Sequence, residues 1–249
     1  MYRENAHKIV VLFSGGVEST CLLYFYLKKG WLVYPVYMRA GYPWEPIELE
    51  NAKRLWQYAK RTYKNLMPKI ILFYTNPEKV KGRSHQKDLF IPLRNLNLIT
   101  PASNYALLKG IRSIAIGSLG IYPFYDNNLD YIKTLQRLTG IEILTPFMGM
   151  EKHQVIAKFS KDVPLERTLS CINPKRSKGK ISPCGRCEKC KEREEAFKAI
   201  KGCGLIGACQ VQKGIHSTKP LRKLPYCSFT ILPKAKVSPY SKNPWPKLF

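Results

Sequence analysis

Five short apolar runs recur in the first 146 residues, and each is followed by a segment with helical spacing. The first run, residues 9–13, contains no polar residue, which is typical of a strand buried on both faces of a sheet. The later runs occupy 31–38, 69–74, 113–117 and 142–146. Pro35 weakens the prediction for the second run, because proline favours the edge of a sheet. The pattern predicts five strands.

Helical patterns separate these runs. Apolar residues recur at helical spacing in 17–29, 44–63, 94–109, 129–139 and 151–160. This alternation predicts an α/β fold, a parallel twisted sheet with helices on both faces. Ligands of such sheets bind beyond the carboxyl ends of the strands. Arg39, Arg94 and Gly117 are predicted at or near such ends.

The charge of the chain is strongly basic. Its 249 residues include 42 Lys and Arg against 17 Asp and Glu, a formal net charge of +25. Such an excess indicates contact with tRNA or another polyanion, or attraction for phosphorylated substrates, although scattered surface lysines produce the same sum. Residues 76–88 are predicted to be a basic loop, and 213–249 a loosely ordered Lys- and Pro-rich tail with a candidate edge strand at 226–232.

The cellular compartment is predicted from the cysteine content and from the lack of segments that resemble targeting signals. No run approaches the ~20 apolar residues that span a bilayer, and the N-terminus does not resemble a cleaved signal peptide. Eight cysteines, several of them clustered, favour a reduced compartment and a metal over a disulfide scaffold. The sequence therefore predicts a cytoplasmic protein without a membrane partner. It does not decide the oligomeric state, and a homo-oligomer is compatible with it.

A glycine turn joins the first predicted strand to the first helix. Such a turn exposes unpaired N–H groups at the positive end of the helix, and Gly15 and Gly16 allow phosphate oxygens to approach the main chain. The side chains suited to phosphate or to a bridging Mg²⁺ follow directly: Ser14, Glu18, Ser19 and Thr20. Neither the Walker pattern nor the dinucleotide fingerprint is present. The alternative is a tight turn in which Ser14 caps the helix.

Four cysteines have metal-ligand spacing. Cys184, Cys187 and Cys190 form C-x-x-C-x-x-C, and Cys171 lies upstream across a basic loop that contains a glycine. Four thiolates close a tetrahedron around Zn²⁺ in structural sites. The same spacing opens the ferredoxin motif of iron–sulfur proteins, but that motif continues with Cys-Pro where this chain has Glu194. The spacing favours zinc, and iron–sulfur remains the alternative.

These motifs together resemble a known family. Residues 14–20, SGGVEST, resemble the PP-loop of the ATP pyrophosphatase superfamily, with Glu18 where that pattern has Asp. Combined with the cysteine pattern, the sequence resembles the 7-cyano-7-deazaguanine synthase family, which makes a precursor of queuosine and archaeosine. Segments 90–95, 116–117, 145–152 and 163–171 add to the likeness, which covers about residues 8–200.

The resemblance implies an adenine-nucleotide alpha-hydrolase-like fold with a small C-terminal four-cysteine subdomain. We place an ATP-binding domain at 1–165, a zinc-binding helical subdomain at 166–212 and the tail at 213–249. The implied reaction is adenylation of 7-carboxy-7-deazaguanine by ATP, followed by attack of ammonia and conversion to the nitrile, with release of pyrophosphate. The implied cofactors are ATP, Mg²⁺ and Zn²⁺.

The resemblance also implies residue roles. Catalytic roles are expected for Glu18, which would hold Mg²⁺, and for Arg94 and Lys152, which would stabilise phosphate or carboxylate charge. The residues expected to bind ATP are Ser14, Gly15, Gly16, Val17, Ser19, Thr20, Arg39 and Gly117. The expected metal ligands are Cys171, Cys184, Cys187 and Cys190.

One segment departs from the family. Residues 118–130 lack the Asp-Cys-Arg-Pro-type sequence that contacts the deazapurine in family members, although Asp126 or Asp130 remains as an acceptor. The acceptor substrate therefore stays open. One alternative is a PP-loop enzyme that adenylates a tRNA base for thiolation or amidation. Thiolation enzymes usually need catalytic cysteines near the nucleotide site. Cys21 is predicted to face the core, which argues against thiolation. The other is a non-enzymatic, zinc-bearing nucleic-acid-binding protein.

Overall fold

A five-stranded parallel sheet forms the centre of the protein in a computed structural model that describes residues 6–73, 91, 93–121 and 125–203. The predicted loop at 76–88, tail at 213–249 and edge strand at 226–232 lie outside these residues. The spatial order is β3-β2-β1-β4-β5, with every neighbouring pair parallel. The strands are β1 (Lys8–Leu12), β2 (Leu32–Arg39), β3 (Ile70–Phe73), β4 (Ser113–Ala115) and β5 (Glu142–Leu144). All five predicted strands are present.

Six α-helices accompany the sheet in the part of the chain that the structure describes. They are α1 (Val17–Lys28), α2 (Glu45–Thr62), α3 (Arg94–Leu108), α4 (Leu129–Thr139), α5 (Lys152–Phe159) and α6 (Glu188–Cys203). Helices α1, α2, α5 and α6 contribute to one apolar cluster, and α3 and α4 contribute to the other. The prediction of helices on both faces is confirmed. Among the described residues, no helix combines the length and apolar character needed to cross a membrane.

Strand β1 shows why its sequence is continuously apolar. Ile9 and Val11 pack into the cluster on one face, while Val10 and Leu12 pack into the cluster on the other. Neighbouring side chains of a strand point to opposite faces, so a central strand needs apolar residues at every position. Strand β1 is therefore covered on both faces, and as the third of five strands it brings its carboxyl end to the middle of the sheet.

Proline 35 does not lie on an edge strand, because β2 is paired on both sides. Val33 N donates to Asn65 O, and Met67 N donates to Val33 O, so this side of β2 faces the segment that precedes β3. The backbone of Pro35, two residues further along β2, faces the same segment. Trp56 Nε1 donates to Met67 O there at 3.0 Å. The indole thus supplies a donor where proline has none, which lets proline occupy an interior strand.

The segment after α5 is built around the cysteines. A 3₁₀ turn at Leu165–Arg167 leads to an antiparallel hairpin of β6 (Lys175–Ser177) and β7 (Lys180–Ser182), which is followed by α6. The sequence predicted only a loop between Cys171 and Cys184, so the hairpin corrects that prediction. Leu169 N donates to Gly15 O at 2.9 Å, which joins this segment to the turn after β1. The proposed boundary between 165 and 166 stays a prediction.

Candidate functional site

The glycine turn lies between the end of β1 and the start of α1. Gly15 has φ +83°, a left-handed conformation that favours glycine, and a Cβ there would lie 3.1 Å from the Cα of Ala52 on α2. Gly16 is the N-cap of α1 and has no side chain with which to cap the helix, while Ser14 Oγ pairs with Ser19 Oγ. The alternative in which Ser14 caps α1 is therefore wrong. The first N–H groups of α1 lack a side-chain acceptor within the turn itself, as an anion seat requires.

The hydroxyl groups beside this turn have distinct surroundings. Ser14 Oγ and Ser19 Oγ lie 3.3 Å apart, and Ser19 Oγ also donates to Gly16 O at 3.2 Å. Thr20 is fully buried, and its Oγ1 donates to Gly16 O at 2.7 Å. Ser14 and Ser19 are thus arranged as a pair at the turn, while Thr20 stabilises its backbone. Their assignment to pyrophosphate stays a prediction.

Gly117 follows β4 and packs against the start of α1. A Cβ at this position would lie 3.1 Å from the carbonyl carbon of Glu18 and 3.2 Å from its Cβ. Real Cβ atoms seldom approach so closely in a packed interior, so only glycine permits this contact without displacement. Gly117 therefore positions Glu18, the residue expected to hold Mg²⁺.

Glu18 and Lys152 meet although 134 positions separate them in the chain. The Lys152 ammonium lies 3.1 Å from Glu18 Oε1 and 3.1 Å from Glu192 Oε2. Glu192 also accepts from Lys189 at 3.2 Å. Burial raises the pKa of the Glu192 carboxyl, but the two neighbouring ammonium groups outweigh burial and leave that pKa below its ordinary value. Sequence analysis gave Glu192 no role, because a glutamate on a helix is most often solvated.

The two arginines predicted from the sequence lie at the end of β2 and at the start of α3. Arg39 is the last residue of β2; its Nε lies 3.5 Å from Glu45 Oε2, and its guanidinium lies 5.5 Å from the centre of the Phe73 ring. Arg94 is exposed at the first position of α3, directly after Leu93, whose φ of +54° is left-handed. The structure does not bring Arg94 into an ion pair with Glu18 among the described residues, so its role stays a prediction.

Glu48 is a second carboxyl near the turn that sequence analysis missed. It lies one helical turn before Ala52, the residue packed against Gly15, and therefore on the same face of α2. Tyr37 Oη donates to Glu48 Oε1 at 2.8 Å. Burial raises the pKa of the Glu48 carboxyl to about 7, while the Tyr37 hydroxyl and the Arg94 charge act against this rise and Glu45 adds to it. Glu48 thus titrates near neutral pH.

Glu48→Gln is expected to remove a pH dependence of stability. The folded protein keeps the Glu48 proton up to about pH 7, whereas the unfolded chain releases it near 4.5, so wild-type stability falls as pH rises through this window and is constant above it. The loss is roughly 2–3 kcal/mol. Thermal unfolding at pH 5.0 and 8.0 measures it. Tyr37→Phe is expected to move the window upward, because its hydroxyl stabilises the carboxylate; an unchanged pH profile in both variants would contradict this account.

The divergent segment is held to the start of α3. Asp126 is buried, its Oδ2 accepts from Asn95 N at 3.0 Å, and its carbonyl accepts from Asn95 Nδ2 at 2.5 Å. Ser118 Oγ donates to Asn127 Oδ1. A carboxylate at a helix N-terminus is favoured by the helix dipole, so Asp126 stabilises α3. Asp130 is exposed in the first turn of α4. Of the two acceptors proposed from the sequence, Asp126 is thus already engaged.

The four cysteines converge as their spacing predicts. Their sulfur atoms all lie within 4.8 Å of one another, and Cys171, Cys187 and Cys190 are buried. The closest Sγ–Sγ separations are 3.5 Å and 3.9 Å. A tetrahedron with 2.3 Å metal–sulfur bonds has edges of about 3.8 Å, so the cluster has the size for a single metal ion. A four-iron cluster needs more widely separated thiolates, because its own atoms lie between them.

The surroundings of the sulfurs also suit thiolates bound to a cation. The N–H groups of Asn173 and Cys184 each donate to Cys171 Sγ at 3.3 Å. Burial raises the pKa of the Cys184 thiol, but backbone N–H groups of Arg186 and Cys187 outweigh burial and lower that pKa to about 6. Burial raises the pKa of Cys171 and dominates there. Four sulfurs this close become thiolates together only if a cation offsets their charge, so the residues fit a metal.

The residues that precede Cys171 in the chain contact the glycine turn. Ser170 directly precedes Cys171, and its Oγ accepts from Val17 N at 3.5 Å. The adjacent Leu169 N donates to Gly15 O. Arg193, three residues after Cys190, donates to Thr168 Oγ1 and to Leu165 O, and burial lowers its pKa. The cluster therefore fixes one wall of the candidate nucleotide site.

The sequence is similar to those of known proteins. The chain is 28% identical over 215 residues to 7-cyano-7-deazaguanine synthase 1 of Desulfitobacterium hafniense (strain Y51), covering 80% of this chain and 94% of that protein. It is 29% identical over 226 residues to 7-cyano-7-deazaguanine synthase of Sulfurihydrogenibium sp. (strain YO3AOP1), covering 79% and 95%. The chain thus spans nearly the whole length of both relatives.

A solved structure and a family model complete the comparison. The U34-tRNA thiolase NcsA from Methanococcus maripaludis with its 4Fe-4S cluster is 13% identical, with a TM-score of 0.48 and coverage of 81% of this chain and 68% of that one; a likeness at this level carries no argument. The model of the family described as queuosine biosynthesis protein QueC matches residues 8–201, from β1 into α6. The match includes the glycine turn, the Glu18–Lys152 pair and all four clustered cysteines, and the chain belongs to the QueC family.

Proposed function

We propose that this protein uses ATP to convert 7-carboxy-7-deazaguanine and ammonia into 7-cyano-7-deazaguanine, with release of pyrophosphate. The observation that carries the proposal is the glycine turn at the start of α1 with the Glu18–Lys152 ion pair beside it, in a chain whose relatives are named for this activity. The arrangement combines N–H donors for a leaving pyrophosphate with a cation for its charge.

The residues divide the chemistry of adenylation. The substrate carboxylate attacks the α-phosphorus of ATP, and the bond to pyrophosphate breaks. The N–H groups after Gly16, with Ser14 and Ser19, would hold the departing pyrophosphate, and the buried Lys152 ammonium would stabilise negative charge in the transition state. Mg²⁺, when bound, would neutralise phosphate charge, and Glu18 is its proposed ligand.

Ammonia then adds to the acyl carbon, AMP leaves and a proton is released, which gives the amide. In a second activation the amide oxygen attacks the α-phosphorus of another ATP, pyrophosphate leaves, and the nitrogen loses one of its two protons. Loss of that AMP together with the remaining nitrogen proton produces the nitrile. Both activation steps use the same pyrophosphate-binding site, so one site serves the whole reaction.

We assign zinc to the cysteine cluster, in a structural role. Four protein ligands close its coordination, so no position remains for a substrate. The sulfur separations and the N–H donors to Cys171 support a single ion. Zinc would hold the segment that carries Leu169 and Ser170 against the glycine turn. We further propose that the protein works in the cytoplasm.

A second candidate, modification of a tRNA base, is favoured by one surface. Lys175, Lys178 and Lys180 are exposed on the β6–β7 hairpin. Arg54 Nη2 donates to Gly179 O at 3.0 Å, which fixes the hairpin against α2. A fixed basic surface suits the phosphate backbone of RNA. The carboxylate reaction remains the better supported function, because the relatives are named for it.

Pyrophosphate release from ATP tests the proposal. Release is expected only when 7-carboxy-7-deazaguanine is supplied, and mass spectrometry should show a nitrile once ammonium is added. Lys152→Met is expected to lower turnover about 10²–10³-fold, because it removes charge stabilisation from the transition state. Lys158→Met, an exposed change on the same helix, should leave turnover intact. Release that requires tRNA would favour the second candidate, and no release with either acceptor would refute an adenylating enzyme.

A further inference from the structure

One lysine is shared by two carboxylates from different parts of the fold. The Lys152 side chain is only 9% exposed, and its ammonium lies 3.1 Å from both Glu18 and Glu192. Glu18 lies in the first turn of α1, directly after the glycine turn, whereas Glu192 lies on α6, two residues after Cys190. A buried ammonium needs compensation by nearby negative charge, and here two groups supply it.

In the proposed reaction one of the two carboxylates would bind Mg²⁺ and the other would not. Glu18, the proposed Mg²⁺ ligand, would have to give its oxygen to the metal when nucleotide binds. Lys152 and the metal then compete for the same carboxylate. A buried ammonium that gave up a carboxylate partner without another beside it would oppose metal binding, because burial penalises its charge. Glu192 removes this obstacle, because its carboxylate already accepts from the ammonium.

We propose that Glu192 is a positioning residue that retains the Lys152 ammonium when Mg²⁺ and nucleotide take Glu18. The inference rests on the proposed function in one respect, the assignment of Mg²⁺ to Glu18. Lys189, which lies 3.2 Å from Glu192, keeps that carboxylate at the same place on α6. The cysteine-bearing segment thereby contributes a charged residue to the nucleotide site as well as a wall.

ATP affinity measured by calorimetry across a Mg²⁺ titration, without any acceptor, tests this role. For Glu192→Gln we expect the half-saturating Mg²⁺ concentration to rise roughly five- to tenfold, because Lys152 then loses the carboxylate of Glu192 and holds Glu18 more tightly against the metal. Affinity for ATP at saturating Mg²⁺ should change less than about twofold. Glu194→Gln is the matched control: Glu194 is exposed on the same helix and pairs with Lys198 at 2.7 Å. Its Mg²⁺ titration should equal that of the wild type.

A double-mutant cycle separates positioning of Lys152 by Glu192 from a general change in the electrostatic potential near Glu18. Removing any negative charge near Glu18 weakens attraction for a cation, with or without Lys152. If Glu192 acts through the lysine, Glu192→Gln should shift the Mg²⁺ titration less than about twofold in a Lys152→Met background. An equal shift in both backgrounds would overturn the proposal, as would a loss of ATP affinity at every Mg²⁺ concentration, which indicates a structural role.

Two further outcomes are distinguishable. If the wild-type ATP affinity does not depend on Mg²⁺, the assignment of Glu18 fails, and the proposal fails with it before any variant is compared. If the wild-type titration is normal but no acceptor is turned over, the proposed substrate fails while the role of Glu192 stands. Should Glu192→Gln unfold, Glu192→Asp keeps the charge at a shorter reach, and an intermediate shift in the Mg²⁺ titration is expected.

Discussion

Cys171→Ser is expected to remove the bound metal and to destabilise the protein by at least ~3 kcal/mol. A structural metal site contributes its binding free energy to folding, and a hydroxyl is a poor substitute for a thiolate ligand. For a folded unit of this size the midpoint of thermal unfolding should fall by roughly 10 °C. Elemental analysis should find one metal ion per wild-type chain and much less in the variant.

The same change should weaken ATP binding. Cys171 directly follows Ser170, and Leu169 donates to Gly15 O, so release of the metal loosens the wall of the nucleotide turn. Cys21→Ala is the control, because Cys21 is buried in α1 away from the cluster. It should retain the metal whatever it costs in packing. A Cys171→Ser variant with full metal content would show that the cluster is not the metal site.

Gly15→Ala is expected to abolish measurable ATP binding and to cost about 2–4 kcal/mol of stability. The left-handed backbone at Gly15 strains any other residue by about 1–2 kcal/mol, and the new methyl group would meet the backbone of Ala52 at 3.1 Å. The turn must then shift, which displaces the N–H groups at the start of α1. Calorimetric titration with ATP and thermal unfolding measure the two effects.

Gly110→Ala separates the effect of left-handed backbone strain from the effect of the contact with Ala52. Gly110 also has a left-handed backbone, with φ +62°, but nothing lies within 4 Å of its position for a Cβ. We expect this variant to lose about 1–2 kcal/mol of stability and to bind ATP as the wild type does. Equal ATP affinity in both glycine variants would mean that the turn at Gly15 does not contact the nucleotide.

The local patterns of the chain predicted most of the fold. The five strands, the five helices up to residue 160 and the glycine turn follow from runs of apolar residues and from their spacing. The parallel sheet followed because strands and helices alternate, and helices must then cross from one strand to the next. The four clustered cysteines were found for a similar reason, since three of them share one short motif.

The charged network at the site could not be read in the same way. Glu192 and Glu48 carry no local signal, because a glutamate on a helix is most often solvated. Their importance comes from burial and from the partners Lys152 and Tyr37, which belong to other elements. The basic hairpin was missed because its strands have only three residues each and carry no apolar alternation.

By itself the sequence determined the α/β architecture, the glycine turn at the head of α1 and the set of four thiolates, since all three depend on residues close together in the chain. Only the tertiary structure decided which charged groups share the site and how the cysteine cluster reaches the turn. Glu18 and Lys152 lie 134 positions apart, and the ion pair between them exists because parallel strands bring their carboxyl ends to one edge of the sheet.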